Sequence, residues 1–171
     1  MSKSFLETHQ VQLVMAPVDT DDGATTGDYF DMSKCSECEI IVAMGDGTAA
    51  SDLDIALYQS DDNAGTTTAV LNCLQTGRIY TKYAGTYAAY AALTAWTKVT
   101  QATADEKHEP DDNGESVGLM SYRVLASDLT DGYRYIRADL TDPGAAKIAA
   151  ALYIGTLYDQ GDPTLTPDCL S

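Results

Sequence analysis

The chain has 171 residues, 44% of them hydrophobic, enough for one domain with a real core and too apolar for wholesale disorder. Its 26 acidic residues against 10 basic give a formal net charge of −16. Nucleic-acid binding needs a positive footprint, so a direct nucleic-acid partner is excluded from the expected roles.

Residues 1–7 form an N-terminal arm with no continuous apolar segment of the kind a signal peptide requires. No run of the chain is apolar for long enough to span a bilayer, so no membrane partner is expected and synthesis in a cytoplasm is. Thr8 to Ala16 alternates as a first strand, with Val11, Leu13 and Met15 on one side and Gln10, Gln12 and Val14 on the other. Pro17 ends it or marks it as an edge. After an Asp/Gly/Thr loop, Tyr29 to Met32 gives a short strand. Glu39 to Met44 gives a stronger one, apolar enough for a sandwich interior. Leu53, Ile55 and Leu57 alternate with Asp54, Ala56 and Tyr58 in a clean strand, closed by Asp61-Asp62-Asn63-Ala64-Gly65, and Ala69 to Leu74 adds a short apolar run.

Residues 75–113 are an Ala/Tyr-rich insertion. Tyr80, Tyr83, Tyr87 and Tyr90 are spaced three, four and three apart, which stripes one side of a helix, and the alanines around them favour one. Trp96 to Gln101 returns to strand, and 104–115 is a charged loop. Gly118 to Ala126 is a strand, and Ser127 to Thr130 a tight turn or single helical turn. Ile136, Ala138 and Leu140 then alternate with Tyr135, Arg137 and Asp139; beyond Asp142-Pro143-Gly144, Ala150, Leu152 and Ile154 alternate with Ala151, Tyr153 and Gly155. Proline presets one turn dihedral and glycine accepts a positive φ, so the two runs are expected to form a hairpin of antiparallel core strands. Gly161, Pro163 and Pro167 make 159–171 an extended tail. Many short strands with turn signals, and no βαβ alternation, predict an all-β fold, an antiparallel sandwich or barrel in one domain over 1–171.

Candidate chemistry is sparse. Cys35 and Cys38 form a C-x-x-C, whereas Cys73 and Cys169 stand alone; a four-cysteine zinc site usually arrives as two such pairs. Structural thiols are the simplest assignment, with a disulfide or a metal as alternatives. His9 and His108 sit in no catalytic motif and are expected to be incidental, solvated residues. The acidic loops at Asp19, Asp21 and Asp22, at Asp46, Asp52 and Asp54, at Asp61, Asp62 and Asn63, and at Asp111, Asp112 and Asn113 fit no EF-hand spacing, and turn chemistry accounts for them. No catalytic residue, metal site or cofactor is therefore expected, and the protein is not expected to be an enzyme. The aromatic set Tyr80, Tyr83, Tyr87, Tyr90 and Trp96 either packs on the sandwich or forms a subunit interface, where tyrosine and tryptophan are enriched. Sugar stacking is a third use.

Two stretches resemble a known family. Leu53 to Gly65 is similar to the "L-x-Q-x-S-D-D-x-x-G" strand of small tailed-phage structural proteins, and Leu129 to Ala138 to their "L-x-x-x-R-Y-[IV]-R" strand. The first strand, 11–18, also fits, so the resemblance covers 8–75 and 118–158; the insertion and the tail depart from it. The resemblance implies a β-sandwich, often jelly-roll-like, that serves as a capsid cement or head-decoration subunit. It implies the major capsid protein as partner, a homo-oligomer (trimer favoured), and a place on the virion's capsid exterior. The aromatic insertion and the N-terminal arm would make the contacts. A carbohydrate- or receptor-binding sandwich of a phage tail or fibre is the alternative function.

Overall fold

In a computed structural model, residues 3–23, 25–47, 52–84, 95–110, 114 and 116–158 are described. They carry eleven strands: β1 (His9–Asp19), β2 (Phe30–Asp31), β3 (Cys35–Met44), β4 (Ile55–Ser60), β5 (Thr68–Val70), β6 (Ile79–Ala84), β7 (Thr97–Lys98), β8 (Lys107–His108), β9 (Val117–Leu125), β10 (Tyr135–Leu140) and β11 (Ile148–Leu157). All pairings are antiparallel, and the strands form two sheets packed as a sandwich. The six-stranded sheet has the order β1-β11-β3-β9-β6-β7; the five-stranded sheet has β2-β10-β4-β5, with β8 also on β4. First pairs with last, second with second-to-last and third with third-to-last, which is the strand order of a jelly roll.

The core lies between the sheets. Gln12, Tyr153, Ile40, Tyr122 and Ile79 face one another across five adjacent strands and are all buried. Ile136, Ala138 and Leu140 of β10 meet them from the other sheet. Tyr153 ties the layers together: its hydroxyl accepts from the Ala138 N–H at 2.8 Å and donates to the Asp28 carbonyl at 3.0 Å. Gly155 is required beneath Phe30, because a Cβ there would stand 2.6 Å from the ring and from the Cys35 sulfur.

Two expectations change, and the inward side of β1, left open by its sequence, is settled. The runs flanking Asp142-Pro143-Gly144 are not a hairpin: β10 lies in the five-stranded sheet and β11 in the six-stranded one, so residues 141–147 cross between layers. The turn chemistry itself holds, with Gly144 at φ 71° and its N–H donating to the Asp142 carboxylate. On β1, Gln12 and Val14 point inward while Val11 and Leu13 are exposed; a register shift between Leu13 and Met15 brings Met15 inward too. In the insertion, Tyr80 and Tyr83 lie on strand β6 rather than a helix, because pairing with β9 overrides the local spacing. Tyr87 and Tyr90 lie outside the described residues.

Candidate association surface

The outward rows of the six-stranded sheet are set by the same register that fills the core. Leu13, Leu152, Ile41, Ser121 and Tyr80 lie across from one another on five adjacent strands. On one side of them run Val11, Ile154, Glu39 and Arg123, and on the other Ala150, Ala43, Leu119 and Lys82. These rows alternate with the buried ones, so their side chains leave the sandwich. Ile148 is 59% exposed, Leu13 46%, Val11 43% and Leu152 37%. Single exposed aliphatics are ordinary on a protein surface, but a contiguous set over the adjacent strands β1 and β11, flanked by the half-buried Ile41 of β3 and Leu119 of β9, is not. Toward the loop end the face dips into an apolar depression of about 480 Å³ lined by Ala43, Met44, Val117, Leu119, Ile148 and Ala150. At the other end the exposed Phe5 ring stacks on His9 with centroids 4.4 Å apart, and the equally exposed Leu6 lies beside it in the arm, extending the apolar area.

The acids on this face, and Arg123 among its bases, are already engaged. Arg123 pairs with Glu37, its Nε donating at 2.8 Å. Ser121 donates to the Glu39 carboxylate, and Asp19, at the loop end, accepts from the Asp21 and Lys147 N–H groups.

The outer side of the five-stranded sheet has a different chemistry. The Arg137 guanidinium lies 4.8 Å from the Tyr58 ring and 5.2 Å from that of Tyr29. It also donates to the Tyr29 hydroxyl at 3.0 Å and to Asp139 at 2.9 Å. Burial pushes the Asp139 carboxyl up, against the pull of Arg137 and the Gly27 N–H. Arg134 covers Tyr135 and pairs with Asp31. Burial acts to raise Asp31 as well, but bonds from Arg134 and Ser33 outweigh it and leave that carboxyl below its ordinary range.

No family model and no curated protein matches the chain. Among solved structures it is similar to the crystal structure of SPBc2 prophage-derived protein YomS, with a TM-score of 0.40 and 7% sequence identity, covering 86% of this chain and 93% of that one. That likeness assigns neither family nor function.

Of the aromatic residues singled out in the sequence, the three described, Tyr80, Tyr83 and Trp96, do not share one surface. Tyr80 lies on the outer face of β6, opposite Ser121 and Lys98. Tyr83, at odd separation from Tyr80, turns the other way and lines a polar cleft of about 280 Å³ with Thr81, Gln101, His108 and Glu109. Trp96 is 43% exposed just before β7. His108 is buried rather than solvated, its Nδ1 2.9 Å from the Tyr122 hydroxyl, because β8 places it on β4 at the sandwich mouth. Cys35, Cys38 and Cys73 are all buried; burial pushes the Cys73 thiol up to about 12, so it stays protonated and inert. Lys147 is buried too, its Nζ donating to the Gly114 and Ser116 carbonyls at 2.9 and 3.4 Å. Among the described residues no three His, Cys, Asp or Glu side chains gather as a metal site. What sequence reasoning missed is the aliphatic face itself. The signal was present: β1 and β11 carry large apolar residues at both parities, more than one face of a half-buried strand needs.

Proposed function

We propose that this chain is a structural virion subunit of the capsid cement or head-decoration kind, which works by association and not by chemistry. The observation that carries the reading is the aliphatic outer face of the six-stranded sheet, on a molecule of net charge −16. Such a face is costly to leave in water and gains its stabilisation on contact. The two strand motifs that resemble tailed-phage structural proteins support the same reading, and they lie side by side, since β4 pairs β10. A decoration subunit bridges major capsid proteins; many modest contacts repeated over a lattice sum to a large stabilisation. The acidic remainder of the surface keeps unassembled copies soluble and apart.

The test is co-sedimentation of the purified protein with purified phage shells. Binding at a fixed stoichiometry supports the reading, and a protein left in the supernatant at saturating shell concentration refutes it. A second reading, a carbohydrate- or receptor-binding sandwich, rests on the exposed Trp96 and on the polar cleft beside Tyr83. Binding on a glycan array, lost in Trp96→Ala, would favour it.

A further inference from the structure

We infer that the occupant of the aliphatic face is a second copy of this chain, stacked sheet against sheet about a two-fold axis. The inference rests on the associative role proposed above and names the partner of its surface.

Three features select that occupant. The first is area. Four strands, β1, β11, β3 and β9, at a spacing of ~4.8 Å, run for eight residue steps of ~3.4 Å from Ile148 to Thr156, about 500 Å² in projection. Side-chain corrugation and the Phe5–Leu6 arm bring this toward the ~800 Å² per partner of a standard interface. A broad sheet face of this kind is covered best by another, since sheets stack face to face at ~10 Å. One face meeting its own copy is an isologous, two-fold contact, which favours a pair over the trimer suggested by the family resemblance.

The second feature is charge. Across the outward side of the whole six-stranded sheet, β6 and β7 included, the acids Asp19, Glu37 and Glu39 are matched by the bases Arg123, Lys82 and Lys98. The face is thus close to neutral on a molecule of net charge −16, so a like-charged copy meets least repulsion here.

The third is the sheet edge. β1 borders the six-stranded sheet, but two register shifts and Pro17 interrupt its free side. Bulges and proline are the devices that block edge-to-edge strand pairing. Growth of the sheet at β1 is thereby discouraged, and face-on contact is left open.

The test is sedimentation velocity on the purified chain from about 1 to about 100 µM, near the micromolar range expected of a modest interface. It is run beside Leu152→Glu and, as a variant with less risk to folding, Leu13→Gln; circular dichroism confirms that each is folded. The expected result is a concentration-dependent dimer for the natural chain. Its dissociation constant should fall several-fold as salt rises from ~0.05 to ~0.5 M, because salt screens repulsion between acidic copies without weakening apolar contact. Folded Leu152→Glu or Leu13→Gln should show the constant raised at least ten-fold.

A natural chain that stays monomeric throughout overturns the inference, as does a dimer unaffected by both substitutions. Shells separate this from the role itself. A dimer that ignores shells refutes the decoration role and leaves the pairing intact. A monomer that binds shells through Leu13 and Leu152 refutes the pairing and leaves the role intact.

Discussion

The two outer faces of the sandwich solve the problem of exposure in opposite ways. On the five-stranded sheet the outward cations and aromatics are matched within the chain, with Val70 on the edge strand β5 as its exposed aliphatic: Arg137 lies against Tyr58 and Tyr29 and bonds Asp139, and Arg134 covers Tyr135 and bonds Asp31. On the six-stranded sheet Arg123, Glu37 and Glu39 are engaged but the aliphatics Val11, Leu13, Leu152 and Ile148 are left to solvent. A face whose aromatics and ions are already paired gains little from a partner. One whose aliphatics face water gains roughly 25 cal/mol for each Å² covered, before the costs of association. Composition alone would favour the five-stranded face, since tyrosine and arginine are the residues enriched at interfaces.

Substitutions can break or sharpen this contrast. Arg137→Ala should cost the most, about 2–3 kcal/mol in urea unfolding, since it strips two tyrosine rings of their cation and leaves the largely buried Asp139 with the Gly27 N–H. Tyr153→Phe, which cuts the hydrogen bonds joining the two layers, should cost about 1–2 kcal/mol by the same measurement. On the other face, Leu152→Glu should change monomer stability by no more than ~0.5 kcal/mol while removing association. A large loss of monomer stability there would show that the face is part of the fold's own support.

The smallest effect concerns pH. Asp31 has a folded pKa below its unfolded value, so it contributes stability above the unfolded value, near 3.9, and loses it as pH falls through the folded one. Because Arg134 is half exposed, Asp31→Asn should cost only a few tenths of a kcal/mol at pH 7. The difference from the natural chain should vanish in acid, which thermal melts across pH would show.

Strand existence was legible wherever the period of two was strong. β10 falls where alternation placed it, β9 within a residue, and β4 starts two residues later than its alternation does. Sheet membership was not legible. Pro143-Gly144 forms a turn whether the chain reverses within a sheet or crosses between two, and only the pairing of β11 with β1 and β3 decides. The inward side of β1 could not be chosen from apolarity: Val11 and Leu13 are larger and more apolar than Gln12, yet Gln12 is buried and donates to the Tyr29 carbonyl. Spacing of three and four suits a helix, and it also places Tyr80 and Tyr83 on opposite sides of a strand. His108 was misread because its charged neighbours resemble a solvated loop.

The family-like motifs have a local explanation as well. Gln59 is buried and exchanges hydrogen bonds with Thr130, and Asp62 accepts from the Ala64 and Thr66 N–H groups to fix the turn after β4. Those residues are required by the way β4 and β10 are held together. They speak for the fold before they speak for any partner.

The pairing of β1 with β11 also governs how the molecule is made. A strand near the start of the chain waits for one near its end, so the six-stranded sheet cannot close until β11 has left the ribosome. Folding dominated by such distant pairings is slow, and until then the apolar sides of β1 and β3 stay open to other chains. A nascent copy thus passes through its most adhesive state before it acquires its finished surface. Synthesis rate and temperature, more than final stability, should set how much of it reaches the native state.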